Sequence, residues 1–108
     1  MADIKVHGQM LVKTFREQFK SEFGLTLRVY NGPGFAKDDV SLASIRKGDN
    51  VKAVDEVKVA GNRKVGTLEK DVLNAWGIKV QVASGDNTFL VNNDLTLAEA
   101  GRQHGIKK

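Results

Sequence analysis

Two stretches of the chain carry apolar residues at helical spacing, and in each the next residues are apolar at every second position. In the first stretch, residues 14–29, three rings fall on one helical face: Phe15, Phe19 and Phe23. The alternation that follows is typical of a half-buried strand, and its apolar members are Leu25, Leu27 and Val29. Thr14 and Glu17 have the spacing of a capping box, and Gly24 suits a helix end. This stretch therefore predicts a capped helix followed by a strand.

The second stretch, residues 67–82, repeats the pattern with different residues. Thr67 takes the capping position and Gly77 the helix end. The apolar helical and strand positions are Leu68, Val72, Trp76, Ile78, Val80 and Val82. A shift of 53 positions superposes the two stretches and their flanking glycines, with two extra residues further along the second copy. We interpret this as a tandem duplication within a single domain, residues 1–108, with repeats at 4–45 and 57–100 and a linker at about 46–53.

The order strand, helix, strand, repeated once, predicts an α+β protein. Two fused βαβ units favour a ferredoxin-like two-layer sandwich (βαββαβ), in which two helices cover one face of a four-stranded sheet. The alternative is a β-grasp-like or strand-swapped arrangement of the two halves.

Two local features refine this picture. Phe35 follows a turn and is expected to fold back onto the core. Thr96 and Glu99 have the spacing of another capping box, for a short helix that begins at Leu97 and is expected to end at Gly101.

Composition narrows the class of protein. The chain has 108 residues, 41% of them hydrophobic, which is enough for one core without disulfides or metals. It contains no cysteine, no apolar run long enough to span a bilayer and no signal-peptide core at its N-terminus. These features lead us to expect a soluble, cytoplasmic protein that does not act at a membrane.

Catalytic motifs are weak in this sequence. His7 and His104 lie near opposite ends of the chain without partners at metal-ligand spacing, and no nucleotide-binding glycine motif occurs. We therefore expect no enzyme activity, no metal and no cofactor.

The candidate binding surface is the sheet face that the helices leave open. Its residues are those that alternate with the buried strand positions: Lys5, His7, Thr26, Arg28, Tyr30, Lys58, Lys79 and Gln81. Four of these side chains are permanently positive, in a chain whose net charge is +4.

Two functions fit such a surface. The first is a non-enzymatic binding or assembly module that contacts a protein partner, or a second copy of itself in a homodimer, through the sheet face or an edge strand. The alternative is binding of single-stranded RNA or DNA, with the positive charges facing phosphates and Tyr30 stacking on a base.

Overall fold

The computed structural model describes residues 4–31, 34–45 and 56–105, apart from the side chain of Glu56. Within these residues the protein is α+β, with three α-helices and two small antiparallel sheets. The elements in chain order are β1 (Ile4–His7), α1 (Val12–Phe23), β2 (Thr26–Asn31), β3 (Gly34–Phe35), a 3₁₀ turn (Ala43–Ile45), β4 (Glu56–Val59), α2 (Val65–Trp76), β5 (Val80–Ala83) and α3 (Leu97–His104). The predicted linker at 46–53 lies outside the described residues.

Both predicted helices are present, but each begins two residues before the threonine expected to cap it. The N-cap residues are Leu11 and Lys64, and neither makes a side-chain cap. The first helical N–H groups instead donate to backbone carbonyls of a later segment: Val12 N to Val40 O at 2.9 Å, and Val65 N to Leu95 O at 2.9 Å. Because backbone carbonyls satisfy these donors, no threonine hydroxyl is needed there.

The predicted helix ends are confirmed. Gly24 and Gly77 have φ values of 69° and 67°, and their N–H groups donate to Lys20 O and Leu73 O. Glycine adopts this left-handed conformation without the steric cost that a Cβ imposes.

Strand pairing joins the two halves of the chain. β1 pairs antiparallel with β4, and β2 pairs antiparallel with β5 and with the short β3. Ile4 lies opposite Val59, and Leu27 opposite Val82, so apolar side chains meet on the buried faces. The ferredoxin-like four-stranded sheet is not confirmed, because the described strands form two separate sheets of two and three strands.

One hydrophobic core lies between the helices and both sheets. Helix α1 contacts β1 and β2, and helix α2 contacts β4 and β5. The predicted stripes supply many of its largest members, which include Phe15, Phe19, Leu27, Leu68, Trp76 and Ile78. The apolar strand residues are therefore buried as predicted, and the two predicted helices pack beside them.

Helix α3 has the predicted capping box but not the predicted end. The Thr96 hydroxyl accepts from Glu99 N at 3.1 Å, and the helix runs through Gly101 to His104. A Cβ at Gly101 would lie 2.5 Å from Phe23 O. Glycine at this position therefore permits a close approach of α3 to the end of α1 and does not stop the helix.

Candidate binding surface

The structure distributes the predicted surface residues over two sheets. Lys5, His7 and Lys58 are exposed on the β1–β4 sheet, where Lys5 lies directly opposite Lys58. The other predicted residues lie on or beside β2 and β5: Thr26, Arg28, Tyr30, Lys79 and Gln81. Because β1 pairs with β4 and not with β2, the eight residues do not share one continuous sheet face.

Thr26 is not part of an exposed surface, and its prediction was wrong. Its side chain is buried, with its hydroxyl 3.2 Å from Lys20 Nζ and 3.3 Å from Gly85 O. Lys20 also donates to Gly85 O, so this lysine and the turn after β5 cover the start of β2. The alternation along the strand places Thr26 on the other face of β2 from Leu27, but it could not predict the turn that covers Thr26.

Tyr30 is the centre of a compact cluster on the outer face of the three-stranded sheet. Its hydroxyl donates to Gln81 Oε1 at 2.7 Å, and Lys79 Nζ lies 5.5 Å from the centroid of its ring. The ring of Phe35 stacks on it, with centroids 5.1 Å apart and planes inclined by 25°. Stacking and the cation therefore act on the same tyrosine ring.

Phe35 is the member of this cluster that the sequence analysis missed. The predicted core position is wrong, because 66% of this residue is exposed. Phe35 lies opposite Tyr30 in the β2–β3 pairing, so both side chains extend from the same, outer face. The next residue, Ala36, donates its N–H to Val29 O and packs against the core instead.

Arg28 is held on the same face by the turn after β5. Its Nε donates to Asn87 Oδ1 at 2.7 Å and its Nη2 to Asn87 O at 3.2 Å. Asn87 has a left-handed φ of 60° within a turn where the hydroxyls of Ser84 and Thr88 donate to Asp86. These hydrogen bonds lower the pKa of Asp86, with that from Ser84 contributing most.

These contacts define what we call the aromatic face. Its members are Arg28, Tyr30, Phe35, Lys79 and Gln81. A cavity of about 220 Å³ adjoins it, lined by Arg28, Phe35 and Asn87 among others. The face thus combines two stacked rings, two cations and an amide, with Arg28, Tyr30 and Gln81 each in a side-chain hydrogen bond.

Two grooves flank the sheet at corresponding places in the two halves. The first-half groove, about 470 Å³, lies between α1 and β2, and its charged residues have both signs: Lys13, Arg16, Lys20, Glu17, Asp38 and Asp86. The second-half groove, about 320 Å³, lies between α2 and β5, and its lining residues are Gly66, Glu69, Lys70, Leu73, Lys79, Val80, Gln81 and Asn93. Lys79 belongs to both this groove and the aromatic face.

Glu69 is a partly buried carboxylate that lines the second-half groove. Burial raises its pKa, while the backbone of Val82 and the charge of Lys79 act in the opposite direction. The carboxyl group therefore lies partly desolvated between α2 and β5.

The two histidines lie in different surroundings. His7 is exposed on β1, whereas the His104 ring packs edge-on against Phe89 with centroids 5.0 Å apart. Across residues 4–31, 34–45 and 56–105, no three His, Asp or Glu side chains are grouped so as to hold a metal ion.

None of the helices in the described parts of the chain has the length and apolar character needed to cross a membrane. Comparison with protein-family models, curated proteins and solved structures found no match to this chain.

Proposed function

We propose that this protein is a small non-enzymatic binding module that contacts a protein partner through the aromatic face. The observation that carries the proposal is that Phe35 is 66% exposed while its ring stacks on the ring of Tyr30. Aromatic and arginine side chains are enriched at protein interfaces, and an aromatic ring buries a large area at a small entropic cost. Phe35 is a preorganised anchor of this kind, and Arg28 lies beside the same small cavity.

The arrangement of charge favours a protein over nucleic acid. Arg28 is bound to Asn87, and the adjacent first-half groove contains three cations and three carboxylates. The cations Lys5 and Lys58 lie on the other sheet. The described basic side chains therefore do not follow one track of the kind that binds a phosphate backbone.

The composition of the aromatic face supports a binding role rather than catalysis. Its five side chains include no carboxylate, histidine or hydroxyl nucleophile other than the phenol of Tyr30. That phenol is occupied in a hydrogen bond to Gln81. Stacking, cation–π contact and hydrogen bonding suit recognition of a partner.

Affinity capture with matched variants tests the proposal. The purified protein is immobilised and exposed to an extract of its source cells, together with Phe35→Ser and, as a control, Leu11→Ser. Leu11 is also an exposed apolar residue, 40% accessible, but it lies at the start of α1. We expect a discrete protein that the wild type and Leu11→Ser retain and Phe35→Ser loses. Equal retention by Phe35→Ser would contradict the proposal.

The partner can also be a second copy of the chain. Size-exclusion chromatography with light scattering then shows a dimer for the wild type and a monomer for Phe35→Ser.

Binding of single-stranded nucleic acid is the second candidate, and one observation favours it. Phe35 adds a second ring to Tyr30 on a face that also carries Arg28 and Lys79, and base stacking beside cations is how single strands are bound. Fluorescence anisotropy with a mixed-sequence single-stranded oligonucleotide tests it. This candidate requires binding that weakens steeply with salt and is lost in Phe35→Ser; no binding at low salt eliminates it.

We also propose that the two halves are copies of one βαβ unit. Hydrogen bonds recur at the spacing that the repeat predicts: Leu42 N to Met10 O and Leu97 N to Arg63 O, at 2.9 and 2.8 Å. The isolated bridges Leu11–Ser41 and Lys64–Thr96 correspond in the same way. This relationship makes the two grooves counterparts of each other, so their differences can be compared residue by residue.

A further inference from the structure

In the first-half groove the charged side chains bind one another and the backbone. Arg16 donates to Leu27 O at 3.1 Å and to Asp38 at 2.8 Å. Lys20 reaches Thr26 and Gly85 O. Arg16 and Lys20 in this groove are therefore already engaged by groups of the protein itself.

The counterpart positions in the second half have different chemistry. Where the first half has Arg16, Lys20 and Asp38, the second has Glu69, Leu73 and Asn93. Leu73 is 49% exposed, and its side chain cannot bridge the groove by hydrogen bonds as Lys20 does. The second-half groove therefore has an apolar wall formed by Leu73, with no lysine across it at this position.

The charged residues at this groove leave a positive excess. Two lysines line it, Lys70 on α2 and Lys79 directly before β5, whereas only one carboxylate does. That carboxylate, Glu69, is partly desolvated and already near Lys79 and the Val82 backbone. An entering group that combines an apolar body with a negative charge would match both the wall and this excess.

We infer that the second-half groove receives an aliphatic side chain of the protein partner, with a neighbouring carboxylate of that partner between Lys70 and Lys79. The inference rests on the proposed function, because Lys79 joins the groove to the aromatic face and makes the two parts one continuous surface. The partner segment is thus acidic and apolar.

A displayed library of random peptides, selected on the wild-type protein, tests this inference. We expect the selected peptides to carry Leu, Ile or Val next to Asp or Glu. Their affinity should fall at least tenfold for Leu73→Ser, which removes the apolar wall without adding a charge, and for Lys70→Glu, which reverses a charge. The matched control Leu11→Ser makes the same change at an exposed leucine outside the groove and should bind as the wild type does. Circular dichroism confirms that each variant is folded.

The outcomes separate the inference from the proposed function. Peptides that lose binding in Phe35→Ser but bind Leu73→Ser and Lys70→Glu normally would overturn the inference and leave the aromatic face as the binding surface. Selection of basic peptides, or of none, would also overturn it. Unchanged binding to Phe35→Ser as well as to Leu73→Ser would overturn both.

Discussion

Gly101→Ala tests the packing of α3 against α1. In an exposed helix this substitution stabilises a protein by about 1 kcal/mol, because alanine has the higher helix propensity. Here the added Cβ would lie 2.5 Å from Phe23 O, and the next nearest atoms also belong to the Phe23 backbone. A backbone group at a helix end cannot rotate away as a side chain does, so α3 must shift.

The cost of that shift is larger than the gain in propensity. Overpacking of this kind typically destabilises by about 1–3 kcal/mol. Movement of α3 also exposes Leu97 and Ala100, which are fully buried. We therefore expect Gly101→Ala to lower the free energy of unfolding by about 1–2 kcal/mol, and the Tm by roughly 5–10 °C.

Urea unfolding monitored by the fluorescence of the buried Trp76 measures this difference. Gly34→Ala is the control, since a Cβ there would have no heavy atom within 4 Å, and it should not be less stable than the wild type. If Gly101→Ala is as stable as the wild type or more so, the close contact between the helices is not present and the packing argument is wrong.

Three further changes test other parts of the account. Thr96→Ala should lose about 1 kcal/mol of stability through loss of the N-cap, whereas Thr14→Ala, at a position that does not cap, should stay within about 0.5 kcal/mol in urea unfolding. Glu69→Gln should raise the Tm at neutral pH, because the raised pKa of Glu69 means that ionisation of this group disfavours the folded state. The wild type therefore loses stability as the pH rises from about 4.5 through the raised pKa. At pH 4, where the carboxyl is protonated, the gain in Tm should disappear. Leu68→Ala should cost about 2–5 kcal/mol because Leu68 is buried, and Leu73→Ala, at an exposed position, should cost less than about 0.5 kcal/mol.

Periodicity predicted the elements and their buried faces, because both depend on local spacing. Leu27 and Val80 are 1% and 2% exposed, and Phe19 and Val72 lie on helices, as the pattern indicated. The ends of α1 and α2 at Gly24 and Gly77 were predicted for the same reason, whereas α3 continues past Gly101.

Contacts between distant segments were not predictable in this way. The first N–H of α1 is satisfied by Val40 O, many residues later, so the apparent capping box at Thr14 was misleading. The pairing of β1 with β4 and of β2 with β5 likewise depends on how distant segments of the chain meet. It separates Lys5 from Arg28 and divides the predicted surface between two sheets.

The aromatic face shows both effects. Tyr30, Arg28, Lys79 and Gln81 were predicted from alternation along their strands, and they do lie together. Phe35 belongs to a strand of two residues, too short for any periodicity, and only its position opposite Tyr30 brings it outward.

Site-specific photo-cross-linking tests the central claim most directly. A benzophenone amino acid replaces Phe35, or Leu11 as the control, in the protein produced in its source cells. We expect position 35, but not position 11, to form a discrete adduct with another protein or with a second copy of this chain. Nuclease treatment should not remove this adduct. An adduct that nuclease removes, or equal cross-linking from positions 35 and 11, would contradict the central claim.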